Sequence, residues 1–281
     1  MKRDAGPVVV KVGGELLETE ERLETVVRAV AHIAAGDLHP SLAVVHGAGR
    51  EIDAALKIAG IEKRQVDGLR ITDEPTLNIV VSVMAGSVNT RFVAALVARR
   101  VAAVGLTGAD AACGLSEQAP AHRAVDGTIV ELGCVGVPVG RADTRLLDAL
   151  LGVGFVPVVA SIGISRDGQL LNVNADTFAG HLAARLRARR LVIAGTTPGV
   201  LDDAGRTILT LESSAIDRLV SERTATAGMI AKLRACEHAL ASGVEDVVIL
   251  DGRDQQAIEA AALGRLPPLS TRLVTTTPTR A

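Results

Sequence analysis

Residues 8–18 read VVVKVGGELLE. The valines suit a buried strand, and Gly13 and Gly14 end it. Lys11 does not suit it, because a lysine is almost never fully buried without a partner. A strand covered on both sides therefore carries a cation to the point where the chain turns, and that turn must hold something that needs the charge.

Outward from this stretch, short Val-rich runs alternate with longer Ala/Leu-rich segments. The runs are VVVKV (8–12), LAVVH (42–46), VAAVGL (101–106), FVPVVAS (155–161), RLVIAG (190–195), DVVIL (246–250) and RLVTT (272–276). Between most of them the apolar period is helical, as from Glu15 to Ala35 and from Glu74 to Arg100. Continuously apolar strands joined by helices predict a three-layer α/β/α sandwich with a mainly parallel, open central sheet. Two stretches depart from the alternation. Residues 112–140 read as a polar hairpin excursion, and 162–174 as a second hairpin turning at Asp167-Gly168. A domain boundary is placed near Arg189, which divides the chain into 1–188 and 189–281.

The 281 residues are 48% hydrophobic, enough for one large core or two smaller ones. A net charge of −2 gives no reason to expect nucleic acid or an anionic membrane as partner. With three Phe and neither Tyr nor Trp, base stacking is nearly excluded as well. Cys113, Cys134 and Cys236 are too scattered for a disulfide framework or a metal site, so they read as structural thiols in a reducing, cytoplasmic compartment. The N-terminus lacks the pattern of a signal peptide, and no apolar run is long enough to span a bilayer.

The second strand run ends in His46-Gly47-Ala48-Gly49 and passes into a helix. Two glycine loops at the carboxyl ends of early parallel strands suit a phosphate or carboxylate, since backbone N–H groups can face the ligand there. Either loop alone is equally a tight turn. No GxxxxGK[ST] occurs, and Ile52 stands where a dinucleotide fingerprint needs its third glycine. By spacing alone, Lys232 in GMIAKL is a surface lysine. Asn174 or Asp176 in NVNAD is a helix cap, and TTPGVLDDAG (196–205) is a loop.

In order, these pieces resemble the amino acid kinase family. The matching stretches are KVGG, HGAG, VDGLRIT (66–72), AGSVN (85–89), AVGLTG (103–108), GFVPVVASIG (154–163), GQLLNVNAD (168–176), PGVLD (198–202) and GMIAKL (228–233). They cover nearly the whole chain, and GLR with NVNAD points to the branch that phosphorylates N-acetyl-L-glutamate. The resemblance implies two lobes, the first (1–188) holding the amino-acid substrate and forming a homodimer, the second (189–281) holding ATP. A carboxylate nucleophile is already ionised, so no general base is needed, and catalysis rests on positioning and charge neutralisation. In the family pattern Lys11 and Lys232 supply the cations, and Asp176 sits between them. The same pattern assigns the acceptor substrate to Gly47, Ala48, Arg70 and Asn172. It assigns the nucleotide to Gly14, Thr196, Pro198, Gly199, Val200, Leu201 and Thr226. Mg²⁺ is expected to arrive on ATP with few or no protein ligands.

The chain departs from the pattern at three places. Ala48 replaces a glycine, which tests whether that position needs positive φ. Thr196 stands where the family usually has Asp, and Ala227 where it has Gly or Asp. Seven residues precede the first strand. That is too short for the extra helix of arginine-inhibited hexamers, so an arginine-insensitive homodimer is expected. The rival readings are a related kinase acting on aminoadipate or glutamate attached to an acidic carrier protein, a non-catalytic nucleotide-binding protein on the same fold, and a plain α/β binding module. Against the carrier reading, the sequence shows no basic cluster near Arg70.

Overall fold

The computed structural model describes residues 6–36, 40–124, 126–140, 142–221 and 227–275. In chain order, β1 (Val8–Val12) leads through a single 3-10 turn (Gly14–Leu16) to α1 (Glu20–Ala35), followed by β2 (Leu42–His46) and α2 (Gly49–Ile58). A small hairpin, β3 (Gln65–Val66) and β4 (Leu69–Arg70), comes next. Then α3 (Glu74–Val81), a π-helical stretch (Ser82–Val88) and α4 (Asn89–Ala98) run on as one rod to β5 (Ala103–Thr107). A polar excursion holds β6 (Ser116–Gln118), β7 (His122–Arg123), β8 (Ile129–Val130) and β9 (Val135–Pro138). The chain returns through α5 (Arg145–Gly152), β10 (Val156–Ala160), β11 (Ile162–Ile164), β12 (Leu170–Val173) and α6 (Ala175–Arg185). It closes with β13 (Arg190–Gly195), β14 (Thr210–Glu212), α7 (Ser213–Ser221), α8 (Ala227–Ala241), β15 (Val247–Asp251), α9 (Gln255–Ala262) and β16 (Ser270–Val274).

The central sheet has eight strands in the order β14-β16-β15-β13-β1-β2-β10-β5. All its pairs are parallel except β15 with β16. Helices cover both faces, so the expected α/β/α architecture is the one observed. Side chains alternate across β1. Val8, Val10 and Val12 enter the core formed with α1, the rod from α3 to α4, and α9. Val9 enters the opposite core, formed with α5, α6 and α8. Two residues on, Lys11 faces that same side, because strand side chains repeat with period two.

The sequence expectations need adjusting at three elements. The first helix starts at Glu20 rather than Glu15, because Thr19 caps it by accepting from the Arg22 N–H and the residues before it form the 3-10 turn. The excursion and the second hairpin are not separate. Strand β12 pairs in parallel with β9, so β11-β12-β9-β6 form one four-stranded sheet beside the main one. Gly168 turns the β11–β12 hairpin at φ +89°. Finally, the rod from Glu74 to Ala98 is long and apolar enough to cross a membrane. Its apolarity has a local reason, since Val80, Met84, Val88, Phe92 and Leu96 are buried on the sheet.

At the far end of the sheet, Asp246 is 6% exposed and binds two arginines, Arg190 and Arg272. Arg190 also donates to the carbonyl of Ala261, joining the loop before β15 to the end of α9. Removing the carboxylate strands buried guanidinium charge. Asp246→Ala is expected to lower unfolding stability by about 3 kcal/mol, read from the urea midpoint, and a loss below about 1 kcal/mol would contradict this account.

Candidate active site

Strand β1 lies where the sheet order reverses, with β2 leading one way and β13 the other. Ligands of open α/β sheets gather at the carboxyl ends of such strands. A cavity of about 530 Å³ opens there. Lys11, Gly14, Gly47, Ala48, Arg70, Asn172 and Asp176 all line it, from four separate stretches of the chain.

At the floor, Lys11 is 6% exposed, and its Nζ lies 2.9 Å from Asp176 Oδ1. Lys232 on α8 approaches the other oxygen, Oδ2, at 3.5 Å. Asp176 thus stands between two lysines brought from opposite elements. Burial pushes the Lys11 amine down, but the carboxylates of Asp176 and then Glu15 more than offset it, and its pKa is raised. Burial, followed by repulsion from Lys11, wins at Lys232, and its pKa is lowered. Burial opposes ionisation of Asp176, yet the two lysines hold its carboxyl below the usual range. One carboxylate serves two buried cations, so the triad keeps a surplus positive charge for an arriving anion.

The cap of α6 is Asn174, whose side chain accepts from the N–H groups of Asp176 and Thr177. With the capping taken by Asn174, the Asp176 carboxylate is left to the lysines.

The glycine loops meet over β1. A Cβ on Gly14 would meet Gly49 N at 2.9 Å and Ala48 Cα at 3.0 Å, so only glycine allows the two loops to approach this closely. Ala48 answers its own question: its φ is −154°, outside the left-handed region, and its methyl is buried. Behind this loop, His46 is fully buried. The Asn89 amide donates to His46 Nε2 (2.9 Å) and to the Val158 carbonyl (2.9 Å). Nε2 is therefore the acceptor, and Nδ1 carries the proton facing the Gly47 carbonyl at 3.2 Å.

The other end of the cavity carries a guanidinium. Arg70 follows the Asp67-Gly68 turn, both residues at positive φ, and one of its terminal nitrogens binds Asp53 and the Gly49 carbonyl. Its other, Nη1, is buried without a partner among the described residues. Asn172 donates to Thr72 Oγ1 at 3.1 Å. Residues absent from the sequence reading also line the cavity: Met84 from the π-helical stretch and His122 of β7, which reaches Asp67 at 2.8 Å. No sequence pattern pointed to them, because their segments become neighbours only in the fold.

Of the expected nucleotide residues, Gly14 lines this cavity, and Thr196, Pro198, Gly199, Val200 and Leu201 lie apart from it. Thr196 follows β13 and lines an adjoining opening with Glu15 and Arg253. In the next turn, Gly199 has φ +84° and packs against Thr271, and Val200 is buried with its N–H bound to Thr271 Oγ1 at 2.7 Å. The Pro198 carbonyl accepts from Thr207, and Leu201 is 39% exposed. Thr226 lies outside the described residues. The fold also corrects one inference: Arg22, Arg50, Lys63 and Arg253 do gather near Arg70 around that adjoining opening. Glu18, Asp53 and Asp251 pair with them, however, so the rim is largely neutralised. Of the thiols, Cys113 and Cys236 are buried, which pushes both up to about 12, and Cys134 is half-buried.

Residues 6–251 match the amino acid kinase family. The chain is 37% identical over 268 residues to an acetylglutamate kinase of Novosphingobium aromaticivorans, covering 92% of this chain and 88% of that one. It is 40% identical over 244 residues to an acetylglutamate kinase of Methanopyrus kandleri, covering 86% and 93%. Among solved structures it is similar to the N-acetylglutamate synthase of Neisseria gonorrhoeae complexed with coenzyme A and N-acetyl-glutamate, with a TM-score of 0.81 and 25% identity. That alignment covers 97% of this chain and spans 60% of the synthase. The carbamate kinase of Giardia lamblia bound to AMP-PNP shares the fold, with a TM-score of 0.67 and 14% identity.

Burial holds His46 near pKa 4, partly opposed by its bond to Gly47, and burial followed by Arg185 and His238 holds His181 near 4. The unfolded chain, at about 6.5, takes up these protons first as pH falls, so stability present at neutral pH is lost between about 6.5 and 4. Each histidine is expected to cost about 2 kcal/mol by pH 5. Urea unfolding at pH 7.5 and pH 5 checks this, and equal stability at both would refute it.

Proposed function

The chain belongs to the amino acid kinase family, and on that premise we propose that it is an acetylglutamate kinase. It transfers the γ-phosphoryl group of ATP to the side-chain carboxylate of N-acetyl-L-glutamate, giving N-acetyl-L-glutamyl 5-phosphate in the second step of arginine biosynthesis. The observation that carries the reading is the cavity itself. Lys11 and Asp176 line its floor with Lys232 paired behind them to the same carboxylate, and a buried arginine, whose Nη1 has no partner among the described residues, belongs to its wall.

The residues divide the work by their chemistry. Arg70 and Asn172 bind the backbone carboxylate and amide of the acceptor, the guanidinium fork favouring a bidentate pair. That leaves the side-chain carboxylate pointing toward the glycine loops at Gly14, Gly47 and Ala48. Lys11 reaches the transferring group from the acceptor side and Lys232 from the nucleotide side. Their charges offset the negative charge spread over the moving phosphoryl oxygens. Asp176 holds both amines in place and does not touch the reacting atoms. Mg²⁺, when bound with ATP, neutralises phosphate charge.

The same reading gives the amino-acid substrate to residues 1–188 and ATP to residues 189–281, through Thr196, Pro198, Gly199, Val200, Leu201 and Thr226. It also makes the protein a cytoplasmic homodimer. Strand β5 supports the dimer: it is the outermost strand of the main sheet, apolar and half-exposed, without the charge or proline that usually guards an edge. Light scattering is expected to give twice the 29.0 kDa chain mass, and a monomer at micromolar concentration would count against it. The neutralised rim near Arg70 disfavours an acidic carrier-borne substrate.

Coupled ADP release with Mg-ATP tests the reaction. Turnover is expected with N-acetylglutamate and not with glutamate or N-acetylaspartate, and Lys11→Ala is expected to lower kcat by about 10²-fold or more. Arg70→Ala is expected to act mainly on KM. Equal turnover with free glutamate, or an unimpaired Lys11→Ala, would overturn the assignment.

A further inference from the structure

Thr72 joins the two side chains assigned to the acceptor and has no part in the reaction above. Arg70 sits in a hairpin with two residues in each strand, and an isolated two-stranded hairpin is marginal in water. Thr72, fully buried just beyond β4, ties it down. Its N–H donates to the Leu132 carbonyl at 2.9 Å, and its carbonyl accepts from the Cys134 N–H at 2.6 Å. Between those two residues Gly133 has φ +71°, and a Cβ there would overlap the Thr72 carbonyl oxygen, so this close pairing needs glycine. The Cys134 carbonyl in turn accepts from the Asn172 N–H at 2.9 Å. The backbone therefore brings Arg70 and Asn172, far apart in the chain, to the same threonine.

The Thr72 hydroxyl has one proton to give. The Arg70 carbonyl, 3.0 Å away, can only accept, so the hydroxyl donates there. Toward Asn172, 3.1 Å away, the hydroxyl is then an acceptor, and the amide must present its amino group to it. Asn172 Oδ1 is left over without a partner among the described residues, on a side chain that lines the cavity. An amide oxygen held in this way suits an N–H on the ligand, and another acceptor in that place would leave it unpaired. We propose that Thr72 is a positioning residue for the acceptor substrate. Its hydroxyl fixes the Asn172 amide with its oxygen left for a ligand N–H, and it holds the end of the strand from which Arg70 reaches. The proposal rests on the kinase reading and makes the acyl-amide group, besides the carboxylates, a feature that the site selects.

Steady-state kinetics on the full chain, varying N-acetylglutamate and Mg-ATP in turn, tests the proposal on the parent, Thr72→Val and Thr72→Ser. Valine keeps the shape and the backbone pairing and loses the hydroxyl. It is expected to raise KM for N-acetylglutamate by about tenfold or more, with kcat and KM for ATP changed by less than about threefold. Serine keeps the hydroxyl and is expected to recover most of that loss. The second probe is 2-acetoxyglutarate, which places an ester oxygen where N-acetylglutamate has its N–H. The parent is expected to use it about 10²-fold less well in kcat/KM, and Thr72→Val, whose Asn172 amide is free to turn over, by less than about tenfold. An unchanged KM for N-acetylglutamate in Thr72→Val overturns the proposal. So does a rise in both KM values with a fall in kcat, which would make Thr72 a general prop for the fold, and so does a serine variant as impaired as the valine one. If Thr72→Val does not fold, the parent alone decides, because equal use of the two acceptors refutes the fixed amide. A parent protein without turnover of N-acetylglutamate removes the kinase reading and this proposal with it.

Discussion

The structure depends on one buried ionic arrangement, the Lys11–Asp176–Lys232 triad. Taking an ammonium out of water is costly, and removing one partner from a buried pair leaves an uncompensated charge. Lys11 is tolerated inside a Val-rich central strand only because α6 delivers a carboxylate 2.9 Å from it. That fixes where α6 must start relative to β1. The α6–α8 packing then carries Lys232 to the opposite carboxylate oxygen. Two cations on one anion are not balanced, and at Lys232 burial, followed by repulsion from Lys11, lowers the pKa. On the proposed reading, a phosphoryl group between the lysines balances the charge that one carboxylate leaves over.

The loops around the triad follow from backbone geometry. Gly14 lets two strand-to-helix turns touch, and Gly13 lets Glu15 fold back across the first of them. The buried His46, held by Asn89, fixes the carbonyl of Gly47 and ties three neighbouring features of the sheet together without any charge. A neutral imidazole suits this place, because a protonated one would lose Nε2 as the acceptor for the Asn89 amide. The methyl of Ala48 fits because φ there is −154°, outside the left-handed region, so a loss of glycine that looked consequential in the sequence changes little in the backbone.

Much of this was legible in the sequence. Apolar runs alternating with helical periods encode a parallel sheet, since burial on both faces leaves no polar side for the strands to show. The lysine in VVVKV marks the site because it breaks a local rule of composition, and the two glycine loops add to it only as a pair at the ends of neighbouring strands. Asn174 and Asp176 were both candidates for a cap from sequence, and only the hydrogen bonds gave that role to Asn174 and the lysines to Asp176. The sequence by itself thus determined the layers and the place of Lys11, because these depend on period and composition along a short stretch, whereas the roles of Lys232 and Asp176 came only from the resemblance to the family. The tertiary structure alone decided that Glu15 lies beside Lys232, that the arginines near Arg70 are neutralised by their neighbours, and that the two polar hairpins form one sheet. Those facts depend on residues far apart in the chain, and neither spacing nor propensity says which side chains will meet once the strands have taken their order.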